Sequence, residues 1–166
     1  LHEDNATQAD NVRREAVSRG VDANRVIFAR GLPLPDYLAR YALADLFLDT
    51  LPYNAHTTAS DALWAGLPLL TLKGSTFPGR VAASLLTALQ VPELITESEE
   101  AFKQAAIHAA RDPQWLAQIR HKVAEQRLKA PLFDTPRMTK YLEEAFMAMH
   151  ERHQAGQAPD HMTIDL

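Results

Sequence analysis

A short apolar run, Leu46-Phe47-Leu48, leads through a polar turn into the start of a helix, and this order constrains the chain more than any other feature. Thr57 and Thr58 can cap that helix, whose first backbone N–H groups have no acceptor within the helix itself. A positive partial charge gathers at the same end, so a phosphate beside His56 would meet donors already aimed at it. The segment 49–66 therefore predicts a diphosphate site at the end of a strand.

Apolar runs alternate with helical patterns along the first part of the chain. Strands are predicted over 25–29, 46–49 and 69–72, and a shorter apolar segment follows at 93–95. Helices are predicted between and around them, over 5–19, 36–43, 58–65 and 75–89. Strands separated by single helices at this spacing indicate an α/β fold with a Rossmann-like parallel sheet and right-handed crossovers.

The pattern is purely helical after the last apolar segment. Helices are predicted over 99–110, 113–129 and 135–154, with prolines at their boundaries. We expect residues 1–130 to form one Rossmann-like domain, and residues 131–166 to form a helix and tail that pack on the same domain.

Composition excludes several classes of protein. A chain of 166 residues with 46% hydrophobic and 23% charged residues is typical of one globular domain. Its net charge of −4 offers no basic field for nucleic acid or an anionic membrane surface. The chain has no cysteine, no long apolar stretch and no signal peptide at its start, and we expect a cytoplasmic protein without disulfides or thiolate metal sites.

Several blocks occur together in a defined order and spacing. They are Leu48-Asp49-Thr50, Asn54-Ala55-His56-Thr57-Thr58, Leu63-Trp64-Ala65-Gly66, Arg80-Val81-Ala82-Ala83-Ser84 and Pro131-Leu132-Phe133. With them the chain resembles the C-terminal part of the protein O-linked N-acetylglucosaminyltransferase family, including its bacterial SPINDLY-like members. The resemblance runs from about Gly20 to the block that ends at Met162, and separated blocks in register are more specific than any lone motif.

The resemblance implies a GT-B architecture of two Rossmann-like domains, with a nucleotide sugar in the cleft between them. The chain would be a partial second domain whose first strand and helix are missing, followed by C-terminal helices. We accordingly expect this chain to be a piece of a longer protein. By itself the piece lacks the acceptor domain and any preceding TPR repeats, and we expect it to be inactive.

Four residues around the helix start receive roles from this resemblance. His56 is expected to donate to the diphosphate, and Thr57 and Thr58 to supply backbone N–H groups, although one threonine could simply cap the helix. Asp61 has two interpretations. It has the spacing of a capping box with Thr58, whereas the family match makes it an acceptor for ribose hydroxyls, which we favour because phosphates would repel a carboxylate.

The resemblance places base recognition between Gly31 and Arg40. Leu32 would offer main-chain contacts to uracil, and Arg40 matches a base-recognising arginine. Tyr37 replaces a histidine that stacks on the base, and an aromatic ring can keep that stacking. Leu34 replaces a lysine that binds the ribose, and leucine has no donor. The alternative is a proline-rich connection packed on the sheet, with Arg40 as a solvated helix residue.

Other residues have mainly structural interpretations. Arg80, at a helix start where a cation is disfavoured, is expected to pair with a carboxylate such as Asp61, or else with a ligand phosphate. Trp64 is expected in the core. His150 and His153 lie one helical turn apart, but no carboxylate or cysteine completes a metal-ligand pattern around them. We favour the interpretation that both are polar residues on the exposed face of a helix.

No two aspartates are separated by one residue, the pattern with which many glycosyltransferases hold a divalent ion on the diphosphate. We expect no cofactor and no metal. The implied reaction is inverting transfer of N-acetylglucosamine from UDP-GlcNAc to a serine or threonine hydroxyl of an acceptor protein. Two alternatives are GDP-fucose transfer, disfavoured because the plant SPINDLY branch tends to have threonine at the position of His56, and a non-catalytic binding module, which Leu34 keeps open.

Overall fold

The computed structural model describes residues 5–164. Contacts between Cα atoms divide the chain into two units, residues 1–40 and residues 41–166. In the first unit, helix α1 (Ala6–Ser18) begins after Asn5, whose side chain accepts a hydrogen bond from the Gln8 amide at 2.8 Å. A 3-10 turn (Ala23–Arg25) and helix α2 (Leu34–Arg40) follow.

The predicted strand over 25–29 is wrong. Asp22 caps the 3-10 turn by accepting from the Asn24 amide at 2.9 Å, and Val26 N–H bonds back to Ala23 O at 3.1 Å. Ile27 is 73% exposed, and only Ala29 has the geometry of a β bridge. An apolar run becomes a strand only where a neighbouring backbone pairs with it. At the start of this run the backbone groups form hydrogen bonds within a local turn instead.

Helix α2 begins two residues earlier than predicted. Leu34 is its first residue, and the predicted end at 43 is a separate 3-10 turn (Tyr41–Leu43). Pro35 does not prevent this start, because an amide in the first helical turn has no intrahelical acceptor to lose.

The second unit contains a three-stranded parallel sheet, as predicted. Its strands β1 (Phe47–Leu48), β2 (Leu69–Leu72) and β3 (Ile95–Thr96) lie in the order β1-β2-β3. Helix α3 (Thr57–Trp64) connects β1 to β2, and helix α4 (Val81–Ala88) connects β2 to β3. The α/β fold class is thereby confirmed, and the carboxyl ends of all three strands meet at one edge of the sheet.

Helix α4 is shorter than predicted at its start. The segment 75–80 is a loop that ends in a 3-10 turn (Pro78–Arg80). Gly74 N–H donates to Gly79 O at 2.6 Å, and this bond brings the two ends of the loop together. A Cβ on Gly79 would lie 3.2 Å from Pro52 O, so this close approach needs glycine.

Three further helices complete the second unit: α5 (Glu99–Arg111), α6 (Pro113–Gln126) and α7 (Thr135–Gln154). Each begins after a side-chain cap, supplied by Ser98, Asp112 and Asp134. Among residues 5–164, no helix combines the length and the apolar character that crossing a membrane requires.

The core packs the sheet against α3, α4 and α6. Its buried members are Ala59, Leu63, Leu69, Leu70, Ala82, Leu86, Leu89, Val91, Leu94, Ile119, Val123 and Ala130. Trp64 is not among them, contrary to the prediction. Its ring is 47% exposed and lies edge-on to Phe133, with the ring centroids 5.1 Å apart, so it covers the outside of the core.

Candidate functional site

The loop that follows β1, residues 49–56, folds around the carboxylate of Asp49. Its Oδ1 accepts from the amides of Thr50 at 2.8 Å and Ala55 at 2.7 Å, and its Oδ2 accepts from the Thr71 hydroxyl at 2.6 Å. Asp49 is 7% exposed, and its carboxylate would be costly to bury without hydrogen bonds. The three donors therefore stabilise it. The loop, called the His56 loop below, is therefore tied to β2.

A second loop, residues 73–80, lies against the first and is called the Gly79 loop below. Asn54 N–H donates to Pro78 O at 3.2 Å, and Asn54 Nδ2 donates to Thr50 O at 3.1 Å. Asn54 is 1% exposed, so its buried amide joins the two loops while its side chain braces the His56 loop itself. The His56 loop also contains a cis peptide bond between Leu51 and Pro52.

His56 is the N-cap residue of α3, with φ −108° and ψ −91°, and its side chain makes no capping bond. The predicted capping roles of Thr57 and Thr58 are therefore wrong, because both residues already lie inside the helix. The capping box with Asp61 is wrong for the same reason: the third helical residue is Ala59, and Asp61 lies in the second turn. Asp61 is half-buried there.

Hydrogen-bond donors remain open at this helix start. Within the described part of the chain, the amides of Thr57, Thr58 and Ala59 have no acceptor, whereas Ser60 N–H already bonds to His56 O at 3.0 Å. The Nε2 atom of His56 is buried and has no hydrogen-bond partner among the same residues. A buried polar atom without a partner is uncommon, and His56 directly precedes the three open amides, an arrangement that is suited to an anionic ligand.

Two aromatic rings contact the imidazole of His56. The Tyr53 ring stacks on it, with centroids 4.9 Å apart and planes 16° from parallel, and the Phe77 ring meets it edge-on at 6.2 Å. Tyr53 belongs to the His56 loop and Phe77 to the Gly79 loop. The imidazole is thus held where the two loops meet.

Arg80 does not form the ion pair expected for it. Its side chain is exposed, and within residues 5–164 no carboxylate pairs with it. Arg80 ends the 3-10 turn before α4 and lines an open groove of about 840 Å³ together with Phe77 and Lys73. Because the cation is left unneutralised by protein, the other expectation, a role toward a ligand phosphate, stays a prediction.

The residues predicted to cover the base lie in the first unit. Leu32 is 45% exposed and Leu34 is 63% exposed. The guanidinium of Arg40 lies 5.7 Å from the centre of the Tyr37 ring and donates to Arg30 O at 2.7 Å. Tyr37 and Arg40 are thus brought together on α2. His56, Thr57 and Thr58 lie at the start of α3, and Asp61 lies in its second turn.

Sequence reasoning missed the residues that shape the site. Asp49 was part of a family block without a role of its own, and Tyr53, Phe77 and Gly79 were not singled out. A carboxylate at the end of a buried strand and an aromatic residue inside a polar turn were the available signals. What they contact depends on residues of the other loop, which no local pattern reveals.

Over the described range 5–164, no three His, Cys, Asp or Glu side chains come close enough together to hold a metal ion. His150 and His153 lie exposed on α7.

The fold and the loops at the end of its strands place the chain among α/β proteins with a Rossmann-like parallel sheet. More specifically, it belongs to glycosyl transferase family 41, whose profile matches residues 4–142. The family resemblance seen in the sequence is confirmed.

Curated relatives are similar over nearly the whole chain. A UDP-N-acetylglucosamine–peptide N-acetylglucosaminyltransferase of Caenorhabditis elegans is 34% identical over 93% of this chain, which corresponds to 13% of the relative. A probable enzyme of the same description from Arabidopsis thaliana, SEC, is 35% identical over 92% of this chain and 16% of its own length. The chain therefore spans less than a fifth of these relatives.

A solved structure is similar in fold as well as in sequence. A mutant O-GlcNAc transferase of Thermobaculum terrenum superimposes with a TM-score of 0.81 at 32% identity, over 87% of this chain and 28% of that one.

Proposed function

We propose that this chain is the nucleotide-sugar-binding part of a protein O-GlcNAc transferase, which transfers N-acetylglucosamine from UDP-GlcNAc to serine or threonine hydroxyls. Membership of glycosyl transferase family 41 supports this proposal, as do relatives described as UDP-N-acetylglucosamine–peptide N-acetylglucosaminyltransferases. The proposal includes a preceding acceptor-side domain in the same protein, since the chain corresponds to only a small part of each relative. Cytoplasmic location stays a prediction.

The observation that carries the proposal is the buried, unpartnered Nε2 of His56, the residue that directly precedes Thr57 and Thr58 with their open amides. A diphosphate bound at this helix start would accept hydrogen bonds from such donors. Donors that are fixed before the ligand arrives need no reorganisation when negative charge develops on the diphosphate.

The mechanism assigned to this geometry is inverting displacement. The acceptor hydroxyl attacks the anomeric carbon and loses its proton to solvent, the bond from that carbon to the diphosphate oxygen breaks, and the electron pair leaves with UDP. His56 and the α3 amides stabilise the charge that develops on the departing diphosphate, in place of a divalent cation. Asp61 would accept from the ribose hydroxyls, and Leu32, Tyr37 and Arg40 would contact the uracil.

Calorimetry on the full-length protein tests the donor assignment, with UDP and GDP titrated in parallel. We expect heat with UDP and at least tenfold weaker binding of GDP. Tighter binding of GDP would support the fucosyl alternative, and no heat with either nucleotide at millimolar concentration would contradict a preformed site. Mass spectrometry of an acceptor protein incubated with UDP-GlcNAc tests the transfer itself. Nucleotide binding without any transfer would support a binding module.

A further inference from the structure

No hydrogen bond holds the imidazole of His56 in its orientation. Within residues 5–164, no backbone or side-chain group bonds to the ring, and its Nε2 is buried without a partner. Functional histidines are commonly oriented by a hydrogen bond to their second ring nitrogen. In this chain the stacked Tyr53 ring and the edge-on Phe77 ring provide the contacts instead, at centroid distances of 4.9 and 6.2 Å. Both distances and both arrangements are favourable for aromatic pairs.

Core packing does not explain the two aromatic rings. Tyr53 is 62% exposed and Phe77 is 74% exposed, so neither ring gains much from removal of apolar surface from water. What the two rings share is contact with His56.

Backbone contacts join the two loops that carry these rings. Asn54, next to Tyr53, donates its N–H to Pro78 O, next to Phe77, at 3.2 Å. Gly79 lies so close to the other loop that a Cβ there would be 3.2 Å from Pro52 O. The His56 loop and the Gly79 loop are therefore joined immediately beside both residues whose rings contact the imidazole.

We propose that Tyr53 and Phe77 are positioning residues, which hold the imidazole of His56 in the orientation from which Nε2 binds the donor diphosphate. The proposal rests on the proposed function for its ligand. Neither ring needs to touch the nucleotide, and each acts through His56. A substitution of either ring should therefore lower the affinity for UDP only while His56 is present.

A double-mutant cycle in the full-length protein tests this dependence, with UDP affinity measured by calorimetry. Tyr53→Leu and Phe77→Leu should each weaken UDP binding about 3- to 10-fold, the range expected for loss of one aromatic contact. In a His56→Ala background the same substitutions should change affinity less than twofold. Tyr53→Phe keeps the ring and should stay within twofold of wild type. Phe146→Leu is the matched control, because Phe146 is 63% exposed on α7.

Crystal structures of the nucleotide-free wild type and Tyr53→Leu proteins give a readout that does not need UDP. We expect one imidazole orientation in wild type and a rotated or split one in the variant. An unchanged ring in Tyr53→Leu, or an equal loss of affinity with and without His56, would overturn the proposal. If wild type binds neither UDP nor GDP and yet the ring turns in the variant, the proposed function fails, while the role of the two rings in orienting His56 stands.

Discussion

The carboxylate of Asp49 accepts a hydrogen bond from the hydroxyl of Thr71 at 2.6 Å, and both side chains are buried. This bond joins the end of β1 to the neighbouring strand. The other oxygen of the carboxylate holds the amides of Thr50 and Ala55 at the two ends of the turn that precedes His56. The donor groups at the start of α3 therefore depend on a buried charge six or more residues away in the chain.

Removal of that charge is expected to destabilise the fold. Asp49→Ala leaves two amides and the buried Thr71 hydroxyl without their acceptor, and should lower the free energy of unfolding by about 3 kcal/mol or more. Asp49→Asn keeps one acceptor oxygen, and Thr71 Oγ1 can accept from the new amide, so its loss should be about 1–2 kcal/mol. Urea unfolding of the 166-residue chain measures both. Equal losses for the two variants would contradict this account of the carboxylate.

Loss of the His56 imidazole is expected to affect turnover and not folding. His56→Ala should lower kcat of the full-length enzyme about 10²- to 10³-fold, the usual effect of deleting one donor to a developing oxyanion. Far-UV circular dichroism and the melting temperature should be unchanged, since the imidazole makes no hydrogen bond to any residue in 5–164. His150→Ala, on the exposed surface of α7, is the control. Near-normal turnover of purified His56→Ala would count against the diphosphate site.

Leu34→Lys tests the predicted ribose contact. Leu34 is 63% exposed, so a lysine fits there without displacing core side chains. A new charge-assisted hydrogen bond to the nucleotide should tighten UDP binding by the full-length protein about fivefold or more, and this gain should shrink at high salt. Leu34→Met serves as the uncharged control. An affinity unchanged by lysine would show that this residue does not lie beside the nucleotide.

The contact between the two loops is expected to depend on Gly79. In Gly79→Ala the new Cβ would lie 3.1 Å from Thr76 Oγ1 and 3.2 Å from Pro52 O, and the second of these is backbone. The loops must separate slightly, which should cost about 1–2 kcal/mol of stability. Thermal unfolding detects this loss. Gly31→Ala is the matched control, because no atom lies within 4 Å of the position of its Cβ. Similar melting temperatures for both variants would refute the tight loop contact.

The ion pair between Lys122 and Glu93 is expected to make a small, pH-dependent contribution. Partial burial acts to raise the pKa of Glu93, but the hydrogen bond and the charge of Lys122 outweigh it, and the pKa lies below its ordinary value of 4.5. A carboxyl with a lowered folded-state pKa stabilises the fold above its unfolded pKa, and this stabilisation is lost as the pH falls through the folded value.

Lys122→Ala should therefore cost no more than about 1 kcal/mol at pH 7, because the pair is partly exposed to solvent. The cost should be smaller at pH 3, because protonation of Glu93 weakens the pair as the pH falls through its lowered pKa. Urea unfolding at both pH values measures it, with Lys140→Ala on α7 as the control. A loss that is equally large at pH 3 would show that Lys122 contributes by packing and not by charge.

Several features of this protein were determined by local sequence. Apolar runs separated by single helices predicted the parallel sheet at β1 and β2, because strand and helix periods are properties of neighbouring residues. The family blocks around His56 predicted the family and the position of the loop in the fold. Caps such as Ser98 and Asp112 likewise act within a few residues of the helices they begin.

Contacts between distant residues decided the rest. The run 25–29 has the composition of a strand, but no ladder forms along it, and pairing depends on a partner elsewhere in the chain. Asp49 and Thr71 are 22 residues apart, and Tyr53 and Phe77 meet at His56 from separate loops. Residue patterns indicate which secondary structure each segment prefers by itself. Only the packing of the loops decides which buried charge is satisfied, and which ring nitrogen is left without a partner.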